Sequence, residues 1–137
     1  MNKKYYLDSC IWRDYLEDRE DKFRPLGEWA FRLIQKIIKD EDMIIISDAV
    51  FGELRVFNPN IDIKITELVT ELCLFNIESS REQFIEAKNI AKKLKIPIND
   101  VLHAILARDN EATLITRDKH FLDLLNIIDV KKPEDLI

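Results

Sequence analysis

Met43-Ile44-Ile45-Ile46-Ser47-Asp48-Ala49-Val50-Phe51-Gly52-Glu53-Leu54 carries the reading of the fold. From Met43 to Ile46 the apolar residues run without a break. A strand with one face in water alternates apolar and polar side chains. An unbroken run marks a strand covered on both faces, which is the habit of parallel sheets. Working outward, further β-like runs lie at 4–7, 74–77, 113–116 and 128–131, and Leu114-Ile115 is again solidly apolar. Helical periodicity fills the gaps. It recurs through Ala30, Leu33, Ile34, Ile37 and Ile38 in 29–39, and through Phe84, Ala87, Ile90, Ala91 and Leu94 in 82–94. Ser79, three residues before Glu82, reads as a capping box. Beyond Pro97 a further helix is expected over 99–108. Strands alternating with helices predict an α/β fold with a parallel sheet. Without a linker or internal repeat, one domain over 1–137 is expected.

Asp8 directly follows the first run and Asp118 the fourth. In an open α/β sheet ligands bind beyond the carboxyl ends of the strands, where strand order reverses. Either acid alone is commonly just a helix cap. Glu53 is more informative, because it falls within the apolar stripe Val50, Leu54, Phe57 of a predicted helix. A carboxylate there is costly unless it is bound to metal or paired with an Arg or Lys. Its neighbour Gly52 weakens a helix and would suit a close approach by backbone or ligand. Asp100 opens the helix that carries Ala104 and Ala107 on its own face, small residues that let the helix sit close to the sheet. Together the four acids suit a hard divalent cation, which takes oxygen ligands.

Net charge is −5, too acidic for a protein that coats nucleic acid through phosphate contacts. Cations at a site can reverse the local field, so a nuclease is not excluded. The two cysteines, Cys10 and Cys73, form no CxxC and are expected to be free thiols. There is no GxxxxGK[ST] phosphate loop and no GxSxG elbow. His103 and His120 read as packing or helix-surface residues. No apolar run reaches the roughly 18 residues of a membrane span. No signal-peptide pattern opens the chain, so a cytoplasmic location is expected.

Tyr6-Leu7-Asp8-Ser9, the stretch from Ser47 through Glu53-Leu54, and above all Asp100 to Phe121 together match a family pattern. The chain resembles the PIN domain family and, within it, the VapC-type ribonuclease toxins. The resemblance implies a three-layer α/β/α fold whose five-stranded parallel sheet has the order 3-2-1-4-5, so that Asp8 and Asp118 meet at the reversal. It implies that Asp8, Glu53, Asp100 and Asp118 are catalytic and hold Mg²⁺ or Mn²⁺, supported by the hydroxyls of Ser9 and Thr116. His120 stands where many relatives carry a further acid.

The expected function is metal-dependent endoribonuclease activity, as the toxin of a type II toxin–antitoxin pair. Alternatives are a housekeeping PIN nuclease in RNA processing or decay, or a catalytically idle interaction module. Expected partners are RNA, a basic antitoxin protein and a second copy of the chain. The homodimer expectation rests on acidic charge and on apolar helix surface around Trp29, Phe31, Ile61, Ile65 and Leu68. Four acids that repel one another would also make loss of Glu53 stabilising without metal.

Overall fold

The structure, a computed structural model, describes residues 2–69 and 73–137. Strand β1 (Lys4–Leu7) leads into helix α1 (Ser9–Leu16) and then α2 (Leu26–Lys39). Strand β2 (Met43–Ser47) is followed by α3 (Asp48–Phe57) and α4 (Ile61–Leu68). Strand β3 (Leu74–Ile77) precedes α5 (Arg81–Leu94) and α6 (Ile98–Asp109). Strand β4 (Thr113–Ile115), a 3₁₀ helix (Lys119–Leu124), β5 (Val130–Lys131) and a second 3₁₀ turn (Pro133–Asp135) complete it.

All neighbouring strands pair in parallel, in the order β3-β2-β1-β4-β5. Tyr6 sits in register between Ile45 and Leu114. Consecutive residues of β2, from Ile44 to Ser47, are all buried, as are Leu114 and Ile115. Successive strand side chains point to opposite faces, so both faces of the sheet are covered and the fold has three layers. Helix α6 is buried without interruption from Val101 to Ala107, including the small-residue face of Ala104 and Ala107. No helix among the described residues is long and apolar enough to cross a membrane.

Three expectations need correction. The capping box sits one residue later than predicted. Ser80 accepts the Gln83 N–H at 3.1 Å and Gln83 returns a bond to the Ser80 N–H, whereas Ser79 turns away to the Asp48 carboxylate. Ile61 and Ile65 do not form free apolar surface, because they are one helical turn apart on α4 and both enter the core. Of the same group, Phe31 stacks on Tyr15 at 5.8 Å between ring centroids, and Trp29 lies half-buried beside the Arg117 guanidinium. Finally, a Cβ on Gly52 would meet nothing within 4 Å, so the fold itself needs no glycine there.

Gly27, the other glycine, behaves oppositely. A Cβ there would lie 2.7 Å from the backbone oxygen of Asp14 and 2.7 Å from the Asp18 Cα, where α2 begins against the end of α1. Gly27→Ala is therefore expected to destabilise the fold by about 1–3 kcal/mol through overpacking. Gly52→Ala is expected to stabilise it by about 1 kcal/mol through helix propensity. Urea denaturation of both variants checks the pair, and equal signs would contradict it.

Candidate active site

The loops leaving β1 and β4 lie side by side at the strand-order reversal. Asp8, 6% exposed, caps α1. Its Oδ1 accepts the Ser9 backbone N–H at 2.8 Å and its Oδ2 accepts the Thr116 hydroxyl at 2.8 Å. Ser9 thus meets Asp8 through its backbone amide. The Thr116 oxygen also accepts the Asp118 N–H at 3.1 Å, so one hydroxyl ties the two acids' loops together. Asp118 Oδ1 in turn accepts the His120 N–H, capping the 3₁₀ helix. The Cys10 thiol lies 3.5 Å from Asp8 Oδ2. Burial, and secondly the Asp8 charge, push its pKa far up, which keeps it a thiol and not a nucleophile.

Helix α6 supplies Asp100 and, one turn later, His103. His103 is wholly buried. Its Nδ1 lies 2.7 Å from the Tyr6 hydroxyl, which lies 2.6 Å from Ser47 Oγ. Ser47 also caps α3, accepting the Val50 N–H at 3.2 Å. At the other end, His103 Nε2 is hydrogen-bonded to Glu53 and stands 3.8 Å from Asp8 Oδ1. Facing two carboxylates, which only accept, Nε2 carries a proton and donates a hydrogen bond to Glu53. Burial disfavours the charged ring, but the bond to Glu53 and the charges of Asp8, Glu53 and Asp100 outweigh it and raise the His103 pKa. The ligand atoms of Asp8, Glu53 and His103 all lie within 4.8 Å of one another.

A second group of the same kind adjoins the first. Asp100, Asp118 and His120 also bring ligand atoms within 4.8 Å of one another. His120 Nδ1 is 2.8 Å from Asp100 Oδ2 and 3.2 Å from Asp118 Oδ1. Asp100 links the groups. Its pKa is raised, first by burial and then by the charges of Asp118 and Asp8, against the opposing bond from His120. The structure groups the predicted acids as two pairs, Asp8 with Glu53 around His103 and Asp100 with Asp118 around His120. The acid excess felt at Asp100 and the all-oxygen donor set of the carboxylates fit a divalent cation.

Sequence reading missed His103 and His120. For His103 a signal existed: it sits three residues after Asp100, on the same helix face. Among buried apolar neighbours that spacing looked like packing. The sequence left Glu53 either a metal or an Arg or Lys partner. The structure supplies an imidazole instead.

The PIN domain family model matches residues 5–125 of the chain. The chain belongs to the PIN domain family, and PIN domains are nucleases. No curated protein matches it. Among solved structures, a chain of VapBC2 from Rickettsia felis bound to a DNA fragment from its promoter is 19% identical, with 94% of this chain and 98% of that chain covered and a TM-score of 0.68. VapBC-1 from nontypeable Haemophilus influenzae is 20% identical, covers 96% and 98%, and has a TM-score of 0.65. FitAcB from Neisseria gonorrhoeae is 16% identical, covers 96% and 99%, and has a TM-score of 0.62. At these identities the likeness is one of fold.

Proposed function

We propose that the chain is a single metal-dependent endoribonuclease domain and the toxin of a type II toxin–antitoxin pair. The observation that supports this is the pair of acid–histidine groups, Asp8, Glu53 and His103 and Asp100, Asp118 and His120, in a chain of the PIN family. Similarity to chains of toxin–antitoxin complexes adds the toxin role. The acidic balance of the chain suits a basic antitoxin. Self-association into a homodimer belongs to the same proposal.

Asp8, Glu53, Asp100 and Asp118 would hold Mg²⁺ or Mn²⁺, which would supply positive charge favouring in-line attack of water on phosphorus. The chain's own groups do the rest. Thr116 and the Ser9 amide hold Asp8 in place, and His103 holds Glu53. Glu53 or Asp100 would orient the attacking water or take its proton. The bond from phosphorus to the 3′ oxygen breaks, leaving a 5′-phosphate and a 3′-hydroxyl.

The test is cleavage of RNA with Mg²⁺ or Mn²⁺, with and without chelator, with product ends sequenced and Asp8→Asn as the inactive control. Cleavage that stops with chelator and in the control is expected. Activity that survives chelation and dialysis would sink the metal mechanism. Light scattering of the same preparations addresses the dimer. A clean monomer at about tens of micromolar, where typical complexes form, removes it.

A further inference from the structure

Beside the acid site a groove runs between the 3₁₀ helix Lys119–Leu124 and β5, enclosing about 490 Å³. Thr116 and Asp118 belong to its wall, so it opens directly onto the candidate cleavage site. Lys119, Lys131 and Lys132 line it, all exposed. None of the three side chains forms an ion pair among the described residues, although Asp118 and Asp135 also line the groove and Asp135 accepts the Lys132 backbone N–H at 2.9 Å. Arg24, held by Asp21, and Arg117, held by Asp14 and Glu134, also line it. In a chain of net charge −5 this concentration of free positive charge is local. We propose that the groove holds the phosphate backbone of a single-stranded RNA on one side of the bond to be cut.

The proposal rests on the nuclease reading above and adds where the strand lies. A cluster of acids repels a polyanion, so a strand must be held by cations outside the cluster to be presented to it. The free lysines stand where that requirement puts them. Exposed Leu122 (63%) and Leu125 (56%) give the groove apolar surface, and no aromatic ring lines it. Base stacking on rings is the usual way a single-strand channel grips bases. Without it the groove reads backbone, with little sequence preference of its own. A basic antitoxin segment would be repelled here, which leaves an acidic peptide as the competing occupant.

The experiment is fluorescence anisotropy of a labelled single-stranded RNA with the full chain in chelator, where binding is read without cleavage. Lys119→Ala, Lys131→Ala and Lys132→Ala are combined in one variant. Lys39→Ala, Lys88→Ala and Lys92→Ala, all at exposed positions elsewhere, remove the same charge as a control. The groove variant is expected to lose about tenfold in affinity at roughly 0.1 M salt, and its plot of log K against log salt to flatten by about 2, from roughly 0.7 per phosphate contact on single strands. The control should stay within about twofold. Equal losses in both variants, no loss in the groove variant, or no RNA binding by wild type would overturn the proposal. So would an acidic peptide that displaces the RNA from wild type but not from the groove variant. Hydrolysis of bis(p-nitrophenyl) phosphate by wild type with Mn²⁺ needs no strand and reads the acid site by itself. Its absence in wild type would count against the nuclease reading and leave the binding result standing.

Discussion

Glu53→Gln is expected to slow RNA cleavage by about 10²- to 10⁴-fold, the usual weight of a positioned acid–base group. In chelator it should also lower the stability of the fold by about 1 kcal/mol near pH 6, or roughly 3–4 °C in melting temperature. The sequence reading predicts the opposite sign for stability, because four acids at one edge repel. The structure changes the sign by adding His103. Burial opposes the charge on that ring, yet the bond to Glu53 and the nearby Asp8 raise its pKa in the fold. The contribution of a group so raised is fully present below the unfolded value of about 6.5. It fades as pH rises through the higher folded value. The deficit of Glu53→Gln should therefore be largest at mildly acidic pH and shrink toward pH 8. Repulsion among the acids would instead make the variant the more stable protein, by a margin growing with pH. Melting curves from pH 5.5 to 8 in chelator separate the two.

Arg117→Met is expected to cost about 3 kcal/mol, close to 10 °C. Arg117 is 14% exposed and spans two acids, Asp14 at 3.1 Å and Glu134 at 2.8 Å. It thereby ties α1 to the C-terminal 3₁₀ turn. Asp14 is almost wholly buried, and removing one partner of a buried charge strands the other. Arg19, 2.8 Å from Asp14, remains and keeps the cost toward the lower end of the range. Burial works against the Glu134 carboxylate, but its bond to Arg117 wins and lowers its pKa. A lowered carboxylate contributes stability above its unfolded value, and that contribution is lost as pH falls through the folded one. The cost of Arg117→Met should accordingly shrink below about pH 4. Arg117→Lys keeps the charge without the fork and should fall between. A loss under about 0.5 kcal/mol by urea denaturation, the level of an ordinary surface change, would mean that the network contributes little.

Most of the architecture was legible because its signals are local. An unbroken Met43–Ser47 strand and the 3.6-residue period of α2 do not depend on what they touch. The acids at the ends of β1 and β4 were legible for the same reason: a strand end can be read from the chain, and topology does the rest. What failed was partnership. Whether Ile61 and Ile65 face the core or a second copy depends on where α4 docks, and no periodicity states that. His103 looked inert because its role comes from Tyr6 and Glu53, residues 97 and 50 positions away. The displaced capping box shows a smaller limit. Ser79 and Ser80 are equivalent in sequence, and Asp48 from another element claims the first.

The Thr116 hydroxyl reaches Asp8 across 108 positions of the chain. Contacts of such separation form late, because a long loop must close before they return any energy. A growing chain therefore carries Asp8, Glu53 and Asp100 well before it has the strand that completes their surroundings. A fragment ending before β4 would hold three of the four acids and no finished centre. In the proposed nuclease, the centre is complete only once β4, Thr116 and Asp118 are in place.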